Sequence, residues 1–118
     1  MKKDPRVYID DVIKSCSSVA KYIEGKNKEQ FGQDDELQDA VIRRLQIIGE
    51  AVKRLSQDFR TEHPEVAWKG ATGMRDVLIH MYDEVDTSQV WQTITDVLPP
   101  FKIQLEELLR KLEENATN

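Results

Sequence analysis

The chain has 118 residues, enough to bury one hydrophobic core and too few for two. Its 17 Lys and Arg stand against 22 Asp and Glu, a formal charge of -5, so no global basic field draws it to DNA or to anionic lipid, and any polyanion has to meet a local patch. A lone Cys16 rules out an internal disulfide and has no companions for a structural zinc site, which makes it a small core residue and fits a reducing compartment.

No apolar run reaches 18 residues, and Met1 to Arg6 leads into no signal-type apolar stretch. The expectation is one cytoplasmic domain over 1–118 that needs neither membrane, metal nor cofactor.

Asp4-Pro5 is a helix start, with a capping carboxylate and then proline at the first helical position, where the missing N–H costs nothing. Tyr8, Val12, Cys16, Val19 and Ile23 follow at spacings of three and four until Gly25-Lys26-Asn27 ends the pattern. After a loop containing Phe31-Gly32, the acidic run Asp34-Asp35-Glu36 sits where a helix N-terminus favours negative charge. Leu37, Val41, Leu45, Ile48, Val52, Leu55 and Phe59 then predict one long amphipathic helix, the most buried of the chain and the centre of its core.

Two residues interrupt that stripe. Gly49 costs about 1 kcal/mol relative to Ala inside a helix, which suggests another helix approaching closely there. Arg44 projects into the apolar arc, where an unpaired charge is expensive. It therefore pairs with a core carboxylate, lines a subunit interface or reaches a phosphate.

His63-Pro64 ends the region, and His63 reads as a loop histidine rather than a ligand. Trp68, Gly70 and Gly73 lead into a helix expected from Ala71 to Asp83. Asp86-Thr87-Ser88 caps the next one. Val90, Ile94, Val97, Phe101, Leu105, Leu108 and Leu112 keep one phase across Pro99-Pro100. Because those prolines delete two donors, a short helix followed by a collinear one from Pro99 is predicted, with residues 113–118 frayed. With no strand pattern or repeat, the fold class is all-α, an up-and-down bundle of four to five helices.

The helix over 71–83 carries the chemistry. At about 100° per residue, Met74, Val77, Leu78 and Met81 share one arc, while Arg75, Asp76, Ile79, His80, Tyr82 and Asp83 occupy the other. Asp76 and His80 are four apart, so the carboxylate can orient the imidazole and raise its pKa. Arg75 and His80 are about 140° and 7.5 Å apart along the axis, yet their side chains can still converge on one phosphate. On spacing alone a solvated polar face is the commoner meaning, and Asp76, His80 and Asp83 could also hold a divalent metal.

Arg75-x4-His80, with a polar residue after the Arg, resembles the signature of HEPN-domain ribonucleases. The added Tyr82 resembles the form found in HepT toxins of HepT/MntA toxin–antitoxin pairs. Similarity extends through Asp4-Pro5-Arg6, Ala40 to Arg43, Ile48 to Val52, His63-Pro64 with Trp68, and Val90-Trp91 to Leu98-Pro99.

The resemblance implies a HEPN bundle, a homodimer with the two motifs facing each other, and metal-independent RNA cleavage. It also implies neutralisation by a MntA-like minimal nucleotidyltransferase that adds AMP to Tyr82. Asp76 stands where many members have Asn, and a carboxylate beside a phosphate site opposes RNA. That departure favours the rival reading, a non-catalytic HEPN scaffold that binds a nucleotidyltransferase or a nucleotide.

A dimer is also what the chemistry asks for. Attack by a 2'-OH is best served by a base and an acid, and the motif supplies one His per chain. Two chains would pool two Arg75, two His80 and, if it faces RNA, two Arg44 in one groove. In this reading Arg75 and His80 are catalytic, Asp76 orients His80, and Tyr82 is the modified residue.

Overall fold

The computed structural model describes residues 4–71 and 86–117, and within them every regular element is helical. Helix α1 (Pro5–Tyr22) begins as its sequence requires. The Asp4 side chain accepts from the Arg6 backbone N–H at 2.9 Å, and Pro5 occupies the first turn. The helix ends before Gly25, which takes φ +74°, a left-handed conformation that costs glycine nothing.

The segment expected as a loop contains a short helix, α2 (Lys28–Gly32). It is held by a capping box in which Asn27 and Gln30 exchange hydrogen bonds between side chain and backbone. Phe31 points inward from it and is fully buried. Helix α3 (Asp35–Arg54) is capped by Asp34, whose carboxylate accepts from Leu37 N–H at 3.0 Å, and its first turn carries Asp35 and Glu36.

The single long helix expected through Phe59 is two. Leu55 turns to an extended conformation (ψ 135°), and Ser56 accepts from Phe59 N–H to start α4 (Gln57–Glu62). The apolar phase survives the break because Leu55 stays buried in the same core, which is why periodicity alone did not reveal it.

Helix α5 (Thr87–Gln92), capped by Asp86, runs through a π-helical turn (Thr93–Val97) into α6 (Leu98–Thr117). The two expected segments are thus one continuous rod, with helical turns as far as Thr117. At the junction Leu98 N–H reaches back five residues to the Thr93 carbonyl. That wider turn leaves Leu98 helical (φ -63°, ψ -45°) directly before Pro99, a placement that a regular turn would resist.

At about 1.5 Å per residue, this rod of roughly 30 residues accounts for most of the molecule's long dimension, which is 50 Å against 28 and 24 Å.

Helix α1 packs against both α3 and α6, and α2 packs against α3 and α5. The seam is built from Ile9, Val12, Cys16 and Val19 of α1, Val41, Leu45 and Ile48 of α3, and Phe101, Leu105 and Leu108 of α6, all essentially inaccessible to water. Among the described helices α3 contributes the most buried side chains. Among the described elements, however, α1 rather than α3 bridges the other two long helices.

Among the described residues nothing approaches Gly49 closely: a Cβ placed there would meet none of their atoms within 4 Å. The close approach occurs instead at Gly70, where a Cβ would stand 3.2 Å from Val97 Cγ1 and bring the helical residues 68–71 against the π turn.

Arg44 is half-buried, and its Nε donates to the Tyr22 hydroxyl of α1 at 3.4 Å. Among the described residues no carboxylate pairs with it, so a core ion pair within those residues is not its role.

Two stability outcomes follow from this packing. Phe31→Ala is expected to cost about 3–5 kcal/mol in urea unfolding, against less than about 0.5 kcal/mol for Ile103→Ala, whose side chain is 66% exposed. Arg44→Met, which keeps the stem and removes, among the described residues, only a long neutral-acceptor hydrogen bond, is expected to shift stability by less than about 1 kcal/mol. A larger loss would reveal a stronger structural partner.

Candidate functional site

Arg75, Asp76, His80 and Tyr82, together with Asp83 and the helix expected over 71–83, lie outside the described residues except for Ala71. What the fold displays is the pair of anchors on either side of them.

On the incoming side, Trp68 Nε1 donates to the His63 carbonyl at 2.9 Å, and its ring stands edge-on to Phe101 of α6 at 6.3 Å. Ala67 N–H donates to Gln104 Oε1 at 2.8 Å, and Val66 and Ala71 are buried. On the outgoing side, Asp86 accepts from Gln89 N–H and begins α5. Both anchors rest on the α5–α6 rod.

His63 behaves as the loop residue its sequence suggests. Its ring packs on Phe59 at 4.6 Å, and Nδ1 lies 3.2 Å from Glu65 Oε1. Hydrogen bonding to its own backbone N–H, and then to His63, holds the Glu65 carboxyl below the ordinary range. Cys16 sits in the α1 seam, where burial pushes its thiol up to about 12. Such a thiol is neutral and unreactive at physiological pH. No group of three or more potential metal ligands occurs among the described residues.

An open groove of about 630 Å³, not read as a site from the sequence, lies between the start of α2 and the face of α5 and the π turn. Lys28 stands on one side, with Gln89, Gln92, Thr95 and Asp96 on the other. Trp91 lines the groove and packs on the buried Phe31, with ring centroids 5.6 Å apart.

The signal that could have revealed it is local. Trp91 is set among polar residues just ahead of two threonines and two prolines. Thr93 and Thr95 hydroxyls donate back to the Gln89 and Trp91 carbonyls at 2.9 and 2.8 Å, bonding that bends helices.

Comparison with known proteins places this architecture. The family described as ribonuclease HepT-like matches residues 12–108. A protein of Caldanaerobacter subterraneus subsp. tengcongensis bearing a provisional RNase name is 40% identical over 109 residues, covering 92% of this chain and 97% of the relative. A Thermococcus cleftensis protein named "Probable ribonuclease HepT" is 37% identical over 108 residues, covering 92% and 98%.

A Methanocaldococcus jannaschii protein is 35% identical over all 118 residues; its name joins gamma-glutamylcyclotransferase to a provisional RNase, and this chain spans 53% of its length. No solved structure matches. Match length, identity and the all-helical bundle agree: the chain belongs to the HepT-like ribonuclease family of enzymes.

Proposed function

We propose that the protein is a metal-independent endoribonuclease toxin that cuts RNA in a cleft between two copies of the chain and acts in the cytoplasm. The observation that carries this reading is that the family match over residues 12–108 takes in Arg75, His80 and Tyr82 with their Arg-x4-His-x-Tyr spacing intact.

One His80 withdraws the proton of a 2'-OH. The oxygen attacks the adjacent phosphorus, the bond from phosphorus to the 5'-oxygen breaks, and the second His80 returns a proton to that leaving oxygen. Arg75 neutralises the charge that builds on the phosphorane, and Asp76 accepts from His80 and fixes its orientation. All atoms balance without a metal, leaving a cyclic phosphate and a free 5'-hydroxyl.

Regulation follows from Tyr82. A MntA-like nucleotidyltransferase, acting as antitoxin, transfers AMP from ATP to the phenol: the phenol oxygen, losing its proton, bonds to the α-phosphorus as pyrophosphate leaves, and the added phosphate and nucleoside obstruct the cleft by bulk and by repulsion of the RNA backbone.

His80→Ala is expected to lower cleavage of a single-stranded RNA by about 10²–10⁴-fold, with the circular dichroism spectrum and sedimentation of the parent, and EDTA is expected to leave the parent rate unchanged. Equal cleavage by the variant would remove His80 from the mechanism. Absence of cleavage by the parent would favour the non-catalytic scaffold, to which the acidic charge of -5 and Asp76 lend support.

Coexpression with a MntA-like enzyme is expected to add an AMP-sized mass that is missing from Tyr82→Phe. An unmodified parent chain, or equal modification of the variant, would overturn the regulatory step.

A further inference from the structure

We propose that the groove between α2 and α5 binds one unpaired base of the RNA substrate within a few nucleotides of the cleaved step, a proposal that rests on the ribonuclease reading above. Its volume of about 630 Å³ lies within the 300–1,000 Å³ typical of small-ligand sites. Its wall includes Trp91, whose position is fixed from behind by the fully buried Phe31. An indole braced in this way can stack a base without first being ordered, and stacking is indifferent to sequence.

Discrimination comes from what surrounds the ring. Gln89, Gln92 and Asp96 are exposed and line the same groove, offering amide donors and acceptors and one carboxylate. Asp86 is already engaged as the α5 cap. Asp96, by contrast, meets only the Thr95 hydroxyl, at 3.4 Å, among the described residues. Among the described residues one Lys28 stands against Asp86 and Asp96 in the lining, a balance that favours a base over a phosphate inside the groove. It suits a base edge bearing an exocyclic amine, which a carboxylate can accept from, while Lys28 meets a flanking phosphate.

The π turn shifts the register between Gln92 and the Thr95-Asp96 pair that shares this wall, and π turns recur at functional sites.

The covalent chain sets an upper limit on the distance from the groove to the motif. Asp86 follows Tyr82 by four residues and His80 by six, so chain length alone keeps it within about 20 Å of His80, a span of a few nucleotides.

The test uses the intact chain and a short single-stranded RNA methylated at every 2'-oxygen, which binds but cannot be cut. Binding is read independently by anisotropy of a label on the RNA. Saturable quenching of tryptophan emission is expected in the parent and should be lost in Trp91→Phe, which keeps an aromatic ring against Phe31. The double variant Gln92→Ala/Asp96→Ala alters exposed positions only. It is expected to raise KM for cleavable RNA by about fivefold to a hundredfold, with kcat changed less than twofold and with preference among cytosine, adenine, guanine and uracil at one position flattened.

RNA that binds and is cut while Trp91 emission and the double variant's KM stay unchanged would overturn the base site and leave the ribonuclease reading standing. An absence of any RNA binding or cleavage would overturn both.

Discussion

Removal of the α1 seam from water is the constraint on which the rest of this structure depends. Ile9, Val12, Cys16 and Val19 reach both α3 and α6, so one stripe of side chains sets the spacing of all three long helices. Interiors of this kind are close-packed and resist even small changes of volume. Cys16 belongs to that packing rather than to any chemistry, since the burial that fits it to the seam also keeps its thiol protonated. The α5–α6 rod inherits its position from α1, and the anchors on both sides of the Arg-x4-His-x-Tyr stretch inherit theirs from the rod: Ala67 and Trp68 are fastened to Gln104 and Phe101, and Asp86 opens α5.

Most of this frame is legible in the sequence because caps and apolar spacing act locally. Asp4, Asp34 and Asp86 each cap the helix expected of them, and the buried positions of α1, α3 and α6 follow the periodicity. The misses share one cause. Helix α2 is too short to show a period, and only the Asn27 to Gln30 capping box betrays it. The Leu55-Ser56 break and the π turn interrupt hydrogen bonding without interrupting burial, so a pattern of apolar residues passes over both. Backbone defects that keep a core intact are invisible to hydrophobic spacing, and polar caps such as Ser56 and proline pairs such as Pro99-Pro100 are where they have to be sought.

The site divides along a similar line. Arg75, His80 and Tyr82 are conspicuous in the sequence because few residue types perform proton transfer or accept a nucleotidyl group, and all three fall within residues 12–108, which the family matches. Arg44 is conspicuous for the opposite reason, a charge in an apolar stripe, and the contact it makes among the described residues is a long hydrogen bond to Tyr22. The groove beside Trp91 drew no notice because it is assembled from two helices far apart in sequence, and tertiary juxtaposition has no linear signature.

Net charge gives these features a common logic. An acidic chain cannot hold RNA by a diffuse field, since the non-specific part of nucleic-acid affinity comes from neutralising phosphates. On the proposed reading it concentrates its cations at the reacting phosphate and obtains the remaining affinity from contacts that need no positive charge, a stacked ring and base edges. The same economy makes modification of Tyr82 an efficient way to silence it. Where only a few guanidinium groups face the substrate, one added phosphate offsets a large share of the attraction, whereas on a strongly basic surface it would be lost among many cations. An acidic balance, which at first argues against an RNA-cutting enzyme, is on this account what makes such an enzyme easy to switch off.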